Sequence, residues 1–149
     1  MIWAAFSSNW KSDIVFIDTR MNASKYTQLL TQHLLPHMRS SESNLEIFQQ
    51  DNAPCHRAQS TMRWFSDHGI IVMDWPSRSP DLNPIENLWG ILVRAVYADG
   101  RQFSTVAELR DAIKLAWDDI DLETLQKLSN SMKNRMFKLT ANQGATINY

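Results

Sequence analysis

The chain has 149 residues, enough for one domain with a buried core, and its hydrophobic fraction of 44% argues against disorder. Its formal net charge of −1 gives no indication of a nucleic-acid partner, and its single cysteine excludes an internal disulfide. No apolar run approaches the ~18 residues that a membrane span needs, and the first residues lack the pattern of a secretory signal.

The first third of the chain predicts a β-hairpin, a helix and a buried strand. Residues 1–6 and 14–17 are apolar and β-branched, and turn-forming residues lie between them. Residues 45–48 form an apolar run that predicts a buried strand leading into Asp51. Over residues 23–38 a helical period places these side chains on one face: Tyr26, Leu29, Leu30, His33 and Leu34.

The middle of the chain predicts a helix, a strand and a rigid loop. The helix covers residues 54–67 with Ala58, Met62 and Phe65 inward, and Gly69 is its stop signal. Residues 70–73 predict a short strand. Residues 74–83 contain Pro76 and Pro80, which predict a loop of fixed, extended shape.

The remainder predicts three helices, over residues 84–98, 105–118 and 121–138. Their inward-facing residues are expected to be Ile85, Leu88, Trp89, Leu92 and Val96 in the first, Val106, Leu109, Ile113 and Trp117 in the second, and Leu122, Leu125, Met132 and Met136 in the third. Strands that alternate with helices favour parallel pairing, so we expect an α/β fold with a mixed sheet flanked by helices and an antiparallel opening hairpin.

The last helix has an uneven charge distribution. After Glu123 the chain has no acidic side chain, whereas Lys127, Lys133, Arg135 and Lys138 are basic. This basic tail either lies along a phosphate backbone or forms a solvated helix face.

Asp51 is the first candidate site residue, because it follows a predicted strand and precedes a helix that Pro54 opens. An aspartate in this place often makes an Asx turn or accepts backbone N–H bonds. Alternatively, the rigid strand end holds the carboxylate for Mg²⁺, a hard cation that prefers oxygen ligands.

Glu86 is the second candidate, and it also has two interpretations. Asn83 suits an N-cap, Pro84 suits the first helical turn, and Glu86 then falls at the capping-box position. Capping does not explain the prolines Pro76 and Pro80 in the preceding loop. A stiff loop is one way to hold a first-turn carboxylate in a fixed place.

Other polar residues near these two positions have weaker cases. Asn52 either contacts the site or caps a turn, and His56 either positions a phosphate or water or makes an ordinary hydrogen bond. Asp81 is expected to shape the turn before the helix, and Asp74 is a weaker candidate. Cys55 lacks the spacing of a zinc site. Trp75 and Trp89 are expected to clamp the loop between them.

Both stretches resemble segments of the catalytic domain of Tc/mariner superfamily transposases. QDNAPCH, residues 50–56, resembles the segment with the second catalytic aspartate of that family, and WPSRSPDLNPIENLWG, residues 75–90, resembles the segment with its glutamate. Thirty-four residues (52–85) lie between Asp51 and Glu86, as in the Tc branch. The resemblance extends to MIWAAFSS (with Ala4 where many members have glycine), to DIVFIDTRMNASKYTQLL and to the closing ATINY.

The resemblance implies a ribonuclease-H-like fold in which Asp51 and Glu86 are catalytic metal ligands, with Asn52, His56 and Asn83 in supporting roles. The family's first aspartate and its first, central strand would precede Met1, as would its DNA-binding region. Asp13 and Asp18 come too late in the strand order to replace that aspartate. We therefore expect residues 1–149 to be one C-terminal catalytic-core fragment without the first core strand. The loss of that strand exposes unpaired edges, so we expect the chain to be marginally stable, to close the gap by re-pairing, or to borrow a strand from a partner.

The implied activity is metal-dependent DNA cleavage and strand transfer in transposition, with Mg²⁺ or Mn²⁺ as the cofactor. With two carboxylates instead of three, we expect weak metal binding and little or no cleavage by this chain alone. The implied partners are transposon ends, target DNA and a second copy of the chain, in the nucleus, without a membrane or small-molecule substrate. Alternatives are a non-catalytic DNA-binding or interaction module derived from such a domain, and an active nuclease with a ligand recruited elsewhere.

Overall fold

The structure is a computed structural model, which describes residues 1–40, 47–74, 76 and 79–141. Its strands are short and are, in chain order, β1 Ile2–Trp3, β2 Phe6–Ser7, β3 Trp10–Lys11, β4 Val15–Phe16, β5 Ile47–Phe48 and β6 Ile71–Val72. Its α-helices are α1 Ala23–His33, α2 Leu35–Met38, α3 Pro54–Arg57, α4 Gln59–Asp67, α5 Pro84–Val96, α6 Val106–Asp118 and α7 Leu122–Ala141. Short 3₁₀ turns lie at Pro80–Leu82 and Ala98–Gly100.

The described residues form two compact units, each built from two stretches of chain. The first unit comprises Met1–Trp3 and Val15–Ser79, and the second comprises Ala4–Ile14 and the chain from Pro80 onward. In the first unit β1 pairs with β4 antiparallel and β5 pairs with β6 parallel. In the second, β2 pairs with β3 antiparallel. The antiparallel opening and the later parallel pairing are therefore as predicted.

The helix predicted over residues 23–38 is divided in two. The Asn22 side chain caps α1 by accepting a hydrogen bond from the Lys25 N–H at 2.9 Å. α1 ends at His33 and α2 begins at Leu35, one residue before Pro36. Proline has no N–H to donate to the preceding turn and is favoured in the first turn of a helix, which accounts for a new helix beginning there. The predicted face is confirmed for the side chains that are buried: Tyr26, Leu29, Leu30 and Leu34.

The helix predicted over residues 54–67 is also divided, at Ala58, whose ψ of 141° is extended. The prediction of one continuous helix is therefore wrong. The Cys55 carbonyl accepts a hydrogen bond from the Thr61 hydroxyl at 2.7 Å, so this polar pair helps to stabilise the break. The buried residues of α4 are Thr61 and Phe65, while Ala58 and Met62 are half-buried. Gly69 ends the helix with a positive φ of 70°, as predicted.

β5 is only partly buried, contrary to the prediction for residues 45–48, of which Leu45 and Glu46 lie outside the described residues. Ile47 is 55% exposed, and Ile71, its neighbour on the parallel strand, is exposed to a similar extent. Phe48 faces the other way and stacks on Phe65 of α4 at 5.7 Å. Alternate residues of a strand point to opposite faces, so the Phe48 face of β5 packs on α4 while the Ile47 face is exposed.

The second unit has its core between α5, α6 and α7. Leu88, Leu92 and Val96 of α5 are buried as predicted, together with Trp117 and Leu125. The prediction is wrong for Val106, Leu122 and Met136, which are exposed. Val106 and Leu122 are the first residues of their helices, where the apolar stripe has not yet reached the core. Met136 is exposed, and its neighbour Arg135 is buried instead.

The hairpin of the second unit is attached to the end of α6. The Lys11 ammonium group donates hydrogen bonds to the carbonyls of Trp117, Asp118 and Ile120, which lie at the C-terminal end of that helix. Burial lowers the pKa of Lys11, while Asp118 and other nearby acidic residues oppose that shift. The Trp117 indole N–H donates to the Ser12 carbonyl at 2.8 Å. Within the described residues, none of the helices is long and apolar enough to cross a membrane.

Candidate metal-binding carboxylates

The Asp51 carboxylate lies just after β5 and is oriented through one of its two oxygens. Its Oδ1 accepts the Ala53 backbone N–H at 2.9 Å, which is the Asx-type turn expected as one alternative. The same oxygen lies 2.6 Å from His56 Nδ1. A carboxylate only accepts hydrogen bonds, so Nδ1 carries the proton. Within the part of the chain that the structure describes, Oδ2 has no partner, and the side chain is 63% exposed. The turn and an open oxygen therefore occur together.

Two buried residues hold His56 in place, and neither was predicted as a site residue. The Tyr26 hydroxyl donates to Gln50 Oε1 at 2.7 Å, and Gln50 Nε2 donates to the His56 carbonyl at 3.3 Å. The Tyr26 ring also stacks on the imidazole, with 4.2 Å between ring centroids. Gln50 was recognisable as a neighbour of Asp51 in the motif, whereas Tyr26 is remote in sequence and was predicted only as a core residue.

Three other residues were considered near Asp51. Asn52 is half-buried, and Cys55 is a half-buried free thiol. Asp74 lies two residues after β6 and is exposed. Over residues 1–40, 47–74, 76 and 79–141, no three His, Cys, Asp or Glu side chains lie close enough together to hold a metal ion.

Glu86 lies in the first turn of α5 and is exposed. The capping box that its spacing predicts is incomplete, because the Asn83 side chain makes no capping hydrogen bond. Instead, the Glu86 N–H donates to the Asn83 backbone carbonyl at 3.1 Å. Among the described residues the Glu86 carboxylate has no hydrogen-bond or ion-pair partner. An open carboxylate at this position suits a hard cation.

Arg135 holds the segment in which Glu86 lies. Its guanidinium donates to the Asp81 carbonyl at 2.9 Å and to the Asn87 side-chain oxygen at 2.7 Å. It also donates to the Ser131 hydroxyl at 3.0 Å, and the residue is only 3% exposed. The prediction that Arg135 belongs to a basic tail on phosphate or in solvent is therefore wrong. Lys127, Lys133 and Lys138 are exposed, and Lys127 pairs with Glu123 at 2.6 Å.

The loop before α5 is described only in part. The described residues do not include Trp75, Ser77 and Arg78. The predicted clamp of the loop by Trp75 and Trp89 therefore lies partly outside them. Trp89 stacks on Trp117 of α6, with 5.6 Å between ring centroids. Asp81 lies in the 3₁₀ turn Pro80–Leu82, in agreement with its predicted role in the turn before the helix.

Burial gives Tyr26 a measurable effect on alkaline stability. Burial raises the pKa of its hydroxyl well above the ordinary value of 10.0, with smaller contributions from Cys55 and Asp51. A raised folded-state pKa means that the stabilisation is complete below the unfolded-state pKa and is lost as pH rises above it. Above about pH 10 the free energy of unfolding should therefore fall by up to about 1.4 kcal/mol per pH unit because of this group alone.

Replacing Tyr26 with phenylalanine should remove this contribution. Urea denaturation at several pH values from about 8 to about 11 would then give a shallower alkaline slope for Tyr26→Phe than for the parent chain. At neutral pH the variant should be about 1 kcal/mol less stable, because Gln50 loses its hydroxyl partner. Identical alkaline slopes would mean that Tyr26 ionises equally in both states.

Comparison with known proteins is consistent with the two motifs. Residues 1–110 match the family described as DDE superfamily endonuclease. The chain is 44% identical to the transposable element Tc3 transposase of Caenorhabditis elegans over 149 residues, which is 100% of this chain and 45% of that protein. It is 33% identical to the Tcb2 transposase of Caenorhabditis briggsae over 135 residues, 91% of this chain and 49% of that protein. The chain spans about half the length of these relatives.

Solved structures show the same fold. The Mos1 transposase catalytic domain, in a structure with raltegravir and Mg, has a TM-score of 0.80 at 20% identity, over 99% of this chain and 75% of that one. The Mos1 strand transfer complex gives 0.75 at 21% identity, over 94% of this chain and 40% of that one. The chain belongs to the DDE superfamily endonucleases, and both its predicted resemblance to Tc/mariner catalytic domains and its ribonuclease-H-like fold class are confirmed.

Proposed function

We propose that residues 1–149 form part of the catalytic domain of a Tc-type DNA transposase and carry two of its metal-binding carboxylates. Asp51 and Glu86 are the ligands, and the metal is Mg²⁺ or Mn²⁺. The observation that carries this proposal is the Asp51 carboxylate, which is held at Oδ1 and open at Oδ2, in a chain that is 44% identical to the Tc3 transposase. Structures of the Mos1 transposase catalytic domain with Mg and with Mn support a divalent metal in this fold.

In this proposal the chain's own residues bind the metal and orient its ligands. Asp51 offers Oδ2 as a ligand while Ala53 and His56 fix its plane. Glu86 offers its open carboxylate from the first turn of α5, whose start Arg135 holds through Asn87 and Asp81. Asn52 and Asn83 adjoin these two ligands and are proposed to support them. When bound, divalent metal ions activate an attacking water or hydroxyl and stabilise the leaving oxygen of a phosphodiester.

The remaining parts of the proposal follow from the family. The substrate is DNA, at transposon ends and at a target, and the working form is a dimer in the nucleus. A Mos1 transposase paired-end complex with the left transposon end supports DNA ends as the substrate class. With two carboxylates offered, the chain alone should bind Mg²⁺ weakly and cleave DNA little. Strong cleavage by the isolated chain that Asp51→Ala abolishes would contradict that expectation.

Metal binding by the isolated chain tests the proposal directly. Mn²⁺ titration followed by electron paramagnetic resonance should show weak binding that Asp51→Asn and Glu86→Gln each reduce by about tenfold or more. Asp67→Asn is the matched control, since Asp67 is an exposed aspartate at the end of α4 and should not affect binding. Unchanged affinity in both Asp51→Asn and Glu86→Gln would overturn the assignment of these two ligands.

A further inference from the structure

His56 is fixed by contacts on several sides, which is unusual for a residue in a four-residue helix near the surface. Its ring stacks on Tyr26, its carbonyl accepts from Gln50, and its Nδ1 lies against Asp51. Tyr26 is 1% exposed, and Gln50 is buried as well. The half-buried imidazole is therefore attached to a rigid, water-poor part of the first unit rather than to solvent.

The buried pair behind His56 has a defined orientation. Burying a hydroxyl or an amide is costly unless each finds a partner, so such groups are held in the arrangement that satisfies them. The Tyr26 hydroxyl donates to Gln50 Oε1, and this fixes which end of the amide faces His56. The Gln50 NH₂ group then donates to the His56 carbonyl. A satisfied polar network of this kind holds one geometry better than its separate bonds would.

We propose that Tyr26, Gln50 and His56 are positioning residues that direct the metal to Oδ2 of Asp51, and this inference rests on the proposed function. The protonated Nδ1 and the Ala53 N–H both occupy Oδ1. Two donors on one oxygen leave the other oxygen as the ligand, so Asp51 binds through a single oxygen in a fixed direction. Replacing residues that orient metal ligands in this way typically weakens metal affinity by about 10–100-fold.

Two amide substitutions separate this positioning role from simple packing. In His56→Asn the side-chain NH₂ group can occupy the place of Nδ1, whereas in His56→Gln it reaches the place of Nε2. Mn²⁺ titration of the full chain should show that His56→Asn retains most of the affinity. His56→Gln should lose about tenfold. If the two variants weaken Mn²⁺ binding equally, or if neither does, the positioning role is overturned.

A second measurement needs no metal. Long-range ¹H–¹⁵N correlation spectra of the metal-free chain near neutral pH should show His56 with its proton on Nδ1. Tyr26→Phe keeps the ring but removes the hydroxyl that fixes Gln50, so it should shift this His56 signal, whereas Tyr97→Phe, at an exposed tyrosine of the second unit, should not. A His56 protonated only on Nε2 would overturn the inference. Failure of the parent chain to bind Mn²⁺ would instead count against the proposed function, since this spectrum is independent of metal.

Discussion

Replacing Trp117 with alanine should destabilise the chain more than any other single change considered, by about 3–5 kcal/mol. Trp117 is 1% exposed, stacks on Trp89, and donates its indole N–H to the Ser12 carbonyl at 2.8 Å. The Lys11 ammonium group lies 5.7 Å from the centroid of its ring system. Alanine at this position would leave a cavity between α5, α6 and the β2–β3 hairpin, and would leave the Ser12 carbonyl without its donor.

Urea denaturation followed by far-ultraviolet circular dichroism measures this loss without depending on tryptophan fluorescence. Trp117→Phe keeps most of the ring volume but lacks the N–H, so its loss should be smaller, about 1–3 kcal/mol. Leu115→Ala is the control on the same helix, because Leu115 is largely exposed and its replacement should change stability by at most about 0.5 kcal/mol. A Trp117→Ala loss as small as that of Leu115→Ala would contradict the packing of this core.

Replacing Arg135 with methionine should have the second-largest effect, a loss of about 3 kcal/mol, because two half-buried acceptors would lose their donors. Methionine fills a similar elongated space but cannot donate to the Asp81 carbonyl or to the Asn87 side chain. Arg135→Lys retains the charge without the planar fork that reaches both acceptors. It should therefore fall between the parent and the methionine variant.

Lys133→Met is the matched control for Arg135, since it removes a basic residue from an exposed position of the same helix. Its effect on the urea midpoint should be within about 0.5 kcal/mol of zero. Equal stability of Arg135→Met and Lys133→Met would mean that Arg135 has no structural role. It would also restore the original hypothesis that the residue belongs to a solvent-facing basic tail.

The local patterns predicted the order of the elements well. The antiparallel opening, the helical period that includes Tyr26 and Leu30, and the stop at Gly69 all correspond to observed features. These predictions succeeded because each depends on the conformational preferences of neighbouring residues. Trp10 and Lys11, which were predicted as turn residues, form β3 instead. The break at Ala58 was not predictable in the same way, because alanine favours a helix. The feature that accompanies the break is a hydrogen bond between the Thr61 hydroxyl and the Cys55 carbonyl, which the sequence pattern does not indicate.

Burial was less predictable than secondary structure. The apolar period placed Val106 and Met136 inward, yet both are exposed, and the buried residue near the end of α7 is the cation Arg135. A hydrophobic period identifies the apolar stripe of a helix, but it does not show which part of that stripe is covered by neighbouring helices or strands. A buried arginine is rare unless it is paired, so composition alone gave no reason to expect one.

For the candidate site, the sequence predicted the positions of the two carboxylates but not the residues that hold the segments around them, such as Tyr26 and Arg135. Asp51 follows a strand and Glu86 begins a helix, as predicted. The capping box at Asn83 did not form, although its spacing was suitable and the Asn83 backbone is extended, as is usual for an N-cap. The contact of Tyr26 with His56 joins residues far apart in the chain, and no local pattern encodes such a contact.

The central proposal is that Asp51 and Glu86 are both ligands of a divalent metal. Mn²⁺ affinity of the isolated chain tests this most directly when it is measured for the parent, Asp51→Asn, Glu86→Gln and the double variant. The proposal predicts that each single replacement weakens Mn²⁺ binding by about tenfold or more. Unchanged affinity in either single variant would contradict the assignment of that residue as a ligand, and unchanged affinity in the double variant would contradict the proposal as a whole.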